Sequence, residues 1–178
     1  MTTATLTSKG QITLPKVVRE RLGGEAGEAR NRRGDGSSHR ANGWAALIGL
    51  DTNVVVRYLV QDHPAQSAVA TRLMERVLSV ELPGLITGIT LCEIVWVLAE
   101  CYAADRDRIG SVIEGLLASR QLVVEESEIA WNALRDWRAS SADFSDALIG
   151  RQVIARGGEK TVTFDRAAAK LPGFELLK

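Results

Sequence analysis

The 178-residue chain has few of the side chains that most often hold transition metals: two cysteines and two histidines. His39 and His63 stand far apart, and no Cys/His set has zinc-site spacing, which excludes a zinc-binding module. Cys92 and Cys101 are nine residues apart in one expected helix. Nine residues turn roughly 900° and rise about 13–14 Å, so the two face opposite sides and cannot pair within that helix. So little cysteine fits a reducing cytoplasm. No run approaches the ~20 apolar residues of a membrane span, and no apolar signal-peptide core opens the chain. A cytoplasmic protein without membrane partners is the expectation. The phosphate-binding and nucleophile motifs G-x-x-x-x-G-K-[ST], G-x-G-x-x-G and G-x-S-x-G are missing as well.

Net charge is also lacking, with 22 basic and 22 acidic residues, but the balance hides an asymmetry. Residues 1–43 carry eight basic and four acidic side chains, a net +4, and the remainder is −4. A basic end on an acidic body suggests a nucleic-acid arm, or an arm that docks on its own body. Apolar content of 46% and charged content of 25% are ordinary for a globular protein. The length suits one compact domain with an appendage.

Residues 5–14 alternate Thr, Leu and Ile with polar residues around Ser8-Lys9-Gly10, which suggests strand and turn. Pro15 suits the first turn of a short helix to Leu22, stopped by Gly23-Gly24. Residues 23–43 hold no large apolar side chain and read as a flexible linker. From Leu47 strands and helices alternate. Leu47–Leu50 reads as a buried strand whose Gly49 lets a neighbour approach. A helix follows from Asn53. Ala65–Val80 suits a second helix, with Ala68, Val69, Leu73, Val77 and Val80 on its inner side. Leu85–Thr87 suits a second strand. Thr90–Tyr102 is amphipathic, with Ile94, Val97, Leu98 and Cys101 on one stripe. Helices at 109–117, 127–138 (opened by Ser127, with Trp131 and Leu134 inward) and 145–156 interleave with strands at 122–124, 161–164 and 174–177. This order implies an α/β fold with a parallel sheet flanked by helices.

Five acids stand out. Asp51 ends the first strand and Asp165 the fourth, at the carboxyl edge where open α/β sheets bind ligands. Glu93 lies in the first turn of the Thr90 helix. Asp143 and Asp146 bracket the start of another helix, three residues and about 60° apart. Each has a structural alternative. Asp51 and Asp143 suit helix N-caps, Thr90-x-x-Glu93 fits a capping box, and Asp146 favours a helix dipole. Asp146 and Glu93, however, flank the apolar faces of their helices, where a solvated acid has no need to be. Carboxylates gathered at strand ends need a countercharge, and no row of Lys or Arg accompanies them. A hard divalent cation supplies one, and such ions cleave phosphodiesters. Trp44, Trp96, Trp131 and Trp137 read as packing and surface anchors.

In Gly49-Leu50-Asp51-Thr52-Asn53, the Glu93 helix, Ala142-Asp143-Phe144-Ser145-Asp146-Ala147-Leu148-Ile149 and Thr161-Val162-Thr163-Phe164-Asp165-Arg166, the chain resembles the PIN-domain family. Within it, the likeness is to the VapC-type ribonuclease toxins of toxin–antitoxin pairs. It covers residues 47–178 and implies a Mg²⁺- or Mn²⁺-dependent endoribonuclease. By that resemblance Asp51, Glu93, Asp146 and Asp165 form a catalytic, metal-binding pocket, with Asp143 as an additional or alternative ligand. Asn53 and Thr163 would hold those carboxylates or the scissile phosphate. RNA as substrate, a cognate antitoxin, a homodimer, and DNA contact only through the antitoxin are the partners implied.

Residues 5–23, from Thr7-Ser8-Lys9-Gly10-Gln11-Ile12-Thr13-Leu14-Pro15 onward, resemble the first half of an AbrB-like swapped-hairpin domain, common in VapB-type antitoxins. The further strands of that family are missing, so residues 1–22 are expected to be a partial antitoxin fragment and 23–46 a linker. Two other readings follow. One is a fused toxin that is self-inhibited or inactive. The other is a DNA-binding regulatory module in which the PIN-like part only dimerises.

Overall fold

The computed structural model describes residues 46–178. The expected antitoxin fragment, nearly all of the linker, and Trp44 lie outside them. Three short parallel strands, β1 (Ile48–Gly49), β2 (Gly84–Ile86) and β3 (Leu122–Val124), form one sheet in the order β1-β2-β3. Ile48 lies opposite Gly84, and Gly84 opposite Leu122. The close approach expected at Gly49 occurs at Gly84 instead. A Cβ on Gly84 would stand 2.6 Å from a Leu50 methyl and 2.8 Å from a Leu78 methyl, while one on Gly49 would meet nothing within 4 Å. The central strand is where side chains from both sides crowd the backbone.

Six α-helices are present among the described residues: α1 (Thr52–Val60), α2 (Pro64–Arg72), α3 (Gly88–Glu100), α4 (Arg106–Ala118), α5 (Ser127–Arg138) and α6 (Phe144–Ala155). The last strands, β4 (Thr161–Thr163) and β5 (Phe174–Leu176), pair in parallel with each other as a second, two-stranded sheet. The sequence suggested a single sheet. β1, however, is only two residues long, and its chain enters α1 three residues later, so it offers little backbone for another partner.

Helix α2 departs most from its expected pattern. It stops at Arg72 and passes into a π-helical turn, Leu73–Val77. Its inner face is Ser67, Ala70 and Met74, with Leu78 beyond, while Val69 is 70% exposed and Val77 and Val80 also face solvent. The expected stripe was one residue out of phase, because several neighbouring faces of this helix have similar apolarity. In α3 the buried stripe is Leu91, Ile94 and Leu98, and Cys101 is exposed. Helix α5 opens at Ser127 as expected, after Glu126 at φ 48° and ψ 46°. Leu134 and Trp137 are buried, with Trp131 half-buried beside them.

Helix α3 packs against α1, α4 and α6, and α5 lies along α6. Val55, Leu59, Ile86, Ile94, Leu98 and Ile113 are almost wholly buried between these layers. Burial on this scale, at about 1.5–3 kcal/mol per large aliphatic side chain, is what holds the helices on the sheet. Among the described residues no helix is long and apolar enough to cross a membrane.

Candidate functional site

The carboxyl ends of β1 and β4 deliver acids directly, and β2 leads into the helix that carries Glu93, as parallel strands feeding helices do. Asp51 follows β1 and caps α1. Its Oδ2 accepts from the Asn53 backbone N–H and from Asn53 Nδ2, both at 3.2 Å. The capping reading and a ligand role are compatible here, because the bonds use one oxygen and the side chain is exposed. Asp165 repeats the arrangement after β4. Its Oδ1 accepts from the Ala167 N–H at 2.6 Å, and its own N–H donates to Thr163 Oγ1 at 2.9 Å. Both are tight side-chain-to-backbone turns that fix a carboxylate at a strand end.

Glu93 is not part of a capping box. The N-cap of α3 is Thr87, whose Oγ1 accepts from the Thr90 N–H at 3.2 Å. The cap stands three residues earlier than the sequence suggested, and the helix begins at Gly88, so Glu93 stands beyond the first turn. There its Oε2 accepts from the hydroxyl of Thr52, 41 residues away, at 2.5 Å. Thr52 is buried and was not among the residues expected at the site. Its neighbour Asp51 thereby shares a corner of the fold with Glu93. Another strand-end acid, Glu125 after β3, is engaged otherwise: its Oε2 accepts from the Gly88 N–H at 2.9 Å, at the start of α3.

Asp143 is the N-cap residue of α6 by its backbone, yet its carboxylate makes no capping hydrogen bond. Asp146 lies in the first turn of α6 and is half-buried. Burial and the nearby charges of Asp143 and Asp165 raise the pKa of the Asp146 carboxyl, and a backbone hydrogen bond involving Asp143 opposes them. The fold therefore links Asp51 to Glu93 through the neighbouring Thr52, and it sets Asp146 within reach of the charges of Asp143 and Asp165. Helix α3, which carries Glu93, packs against both α1 and α6. The ion pairs among the described residues, such as Arg57–Asp62, Arg151–Asp136 and Arg156–Glu126, leave these five acids out.

A family model for the PIN domain matches residues 48–173. The chain belongs to the PIN-domain family. PIN domains are generally nucleases, hydrolases of phosphodiesters, and generally use divalent metal ions. A comparison with curated proteins finds no significant match. Whether this PIN domain suits a divalent ion can be judged from its donors. All are carboxylate oxygens, the kind that hard cations prefer, and the raised Asp146 carboxyl marks a negative field that a cation would relieve. Among the described residues, no three such side chains converge as a ready-made cage. Magnesium keeps several of its waters and takes only one or two carboxylates directly, so the donor chemistry fits although the shell is open.

Proposed function

We propose that this PIN domain is a Mg²⁺- or Mn²⁺-dependent endoribonuclease of the VapC toxin type. The observation that carries the reading is the delivery of Asp51 and Asp165 by tight side-chain-to-backbone turns at the carboxyl ends of β1 and β4 in a PIN-family chain. Asp51, Glu93, Asp146 and Asp165 would hold the ion, one or two of them directly and the others through its waters, with Asp143 as an additional or alternative ligand. When bound, the ion activates water and neutralises charge on the phosphate. The protein's own part is positional. Asn53 orients Asp51, Thr52 orients Glu93, and the Thr163 hydroxyl fixes the turn that presents Asp165.

The proposal extends to partners: RNA as substrate, a second copy in a homodimer, a cognate antitoxin in the cytoplasm, and DNA only through that antitoxin. The test is cleavage of RNA and of matched DNA by full-length protein and by residues 47–178, with Mg²⁺, with Mn²⁺ and with chelator. Metal-dependent cuts in RNA alone are expected. Equal cutting of both nucleic acids, or cutting in chelator, would overturn the specific reading.

A second reading, a self-inhibited fusion, is favoured by the charge division between residues 1–43 at +4 and an acidic remainder. In it the basic segment lies over the acidic site. The antitoxin-like residues 5–23 would then be the remnant of a partner joined to its toxin. Sequencing the locus for an out-of-frame antitoxin remainder tests that origin.

A further inference from the structure

The acids of α6 stand at the end of a turn that one distant side chain grips. Arg106 is the first residue of α4, 37 positions before Asp143. Its Nη2 donates to the carbonyls of Trp137 at 2.7 Å, Ser140 at 3.1 Å and Ala142 at 3.3 Å, and its Nη1 to Ala142 at 3.2 Å. The guanidinium carbon also lies 4.1 Å from the centroid of the Trp137 ring. That ring in turn meets Phe144 edge-on, with centroids 6.0 Å apart and planes at 87°. Asp143 therefore sits between two fixed neighbours. Ala142 before it is held by the arginine fork, and Phe144 after it by the tryptophan on which the arginine lies.

We propose that Arg106 is a positioning residue for the α6 carboxylates, setting where Asp143 and Asp146 stand relative to Asp165. The proposal rests on the metal-dependent nuclease reading above and adds to it a residue that touches none of the reacting atoms. The fork geometry explains why an arginine is needed. Three carbonyls lie within reach of one planar group that also stacks, and a lysine ammonium, a point charge on a flexible stem, cannot satisfy both demands. The Trp137 carbonyl is in the last turn of α5 and those of Ser140 and Ala142 come just after it, at the negative end of the helix, a natural seat for a cation. Partial burial lowers the pKa of the Arg106 guanidinium, and the Asp143 carboxylate opposes that, so the cation also stands near enough to Asp143 to feel its charge.

The test compares Arg106→Lys and Arg106→Ala with Arg57→Ala. Arg57 belongs to a separate clamp, with Asp62 at 2.6 Å and Tyr102 at 3.2 Å, and serves as a control for simple loss of stability. Two measurements are made on full-length protein. The first is amide hydrogen exchange across residues 139–147 without metal or substrate. Both Arg106 variants should exchange there at least about tenfold faster, since charge-assisted bonds to the turn are lost. The second is the Mn²⁺ concentration giving half-maximal RNA cleavage, which should rise roughly ten- to a hundredfold while KM for RNA stays within about twofold of wild type. Arg57→Ala should lower Tm and leave both quantities unchanged. Wild-type exchange in Arg106→Lys would overturn the proposal, and so would an equal rise in metal requirement in Arg57→Ala. If the wild-type protein neither cleaves RNA nor gains Tm with Mn²⁺, the nuclease reading fails, and the grip on the turn is still judged by exchange alone.

Discussion

The two halves of the acidic site are built in opposite ways. On the α1–α3 side every bond to a carboxylate comes from a neutral donor: Asn53 supplies two to Asp51, and Thr52 supplies one to Glu93. These acids stand in place without any cation. On the α6 side, the Asp143 carboxylate makes no capping bond, and Asp146, steadied by a backbone hydrogen bond at Asp143, is half-buried and feels the charges of Asp143 and Asp165. That half is held by its backbone, through the turn before α6, and, among the described residues, only Asp143 of its acids feels a nearby cation, Arg106. One half is pre-organised, and the other is poised for a counterion. A site so divided orders its acids without a cation and keeps the strain at the α6 side, where the cation would relieve it.

The largest expected effects separate the halves by stability and not by activity. Asp51→Asn and Asp146→Asn should each lower metal-dependent cleavage by roughly a hundredfold or more, since even outer-shell changes around metals cost 10–100-fold. Their effects on Tm should differ. Asparagine caps helices about as well as aspartate, so Asp51→Asn should leave Tm nearly unchanged. Asp146→Asn should raise Tm near neutral pH. The folded-state pKa of Asp146 is raised, so the stability linked to its protonation is complete below the ordinary aspartate value. It is lost as pH rises through the raised value. The gain from Asp146→Asn should therefore appear at neutral pH and vanish in acid. Thermal melts of both variants from acid to neutral pH check this, and an Asp146→Asn protein less stable than wild type at neutral pH would remove the repulsion argument.

The next effect sharpens the pre-organised half. Thr52→Val keeps the shape of a buried residue and deletes the hydroxyl that holds Glu93. Cleavage should fall by roughly ten- to a hundredfold, with a stability loss of about 1 kcal/mol. Thr52→Ser should restore most of the activity. A valine variant with wild-type rates would show that Glu93 needs no orientation.

Metal itself should act on the poised half. At saturating Mg²⁺ or Mn²⁺, Tm should rise by mass action, corresponding to about 2.7 kcal/mol at a hundred times Kd. The rise should be abolished in Asp146→Asn and only reduced in Thr52→Val. Calorimetry with and without chelator measures it, and equal shifts in the two variants would erase the distinction between the halves.

The smallest effect concerns the +4 segment, residues 1–43. Loose ion pairs contribute about 0–1 kcal/mol each, so its removal should speed cleavage at low salt by up to about fivefold. The difference should shrink as salt rises. Equal rates for full-length and truncated protein at low salt would make the segment a tether and nothing more.

What was legible in the sequence follows from what is local. The order of strands and helices from Ile48 onward was readable because turn residues and apolar spacing act over a few positions. So was the placement of Asp51 and Asp165 after strands, since each forms its turn with a residue two positions away. The inner face of α2 was misread because neighbouring faces are of similar apolarity, and only packing against α1 chooses between them. The start of α3 was misread because Thr87 and Thr90 are both competent caps, and the backbone at Thr87, φ −78° and ψ 163°, decides for the first.

By itself, then, the sequence determined the kind of protein: an α/β chain of PIN type with acids at the carboxyl ends of its strands. Those features depend on residue type and short spacing. Tertiary structure decided how each acid is used. It placed the Thr52 hydroxyl on Glu93 from 41 residues away, left the Asp143 carboxylate without a capping bond, and raised the pKa of Asp146 by partly burying it near the charges of Asp143 and Asp165. It also set the Arg106 fork on the turn before α6. Each of these depends on burial and on distances between elements far apart in the chain, which no local pattern encodes.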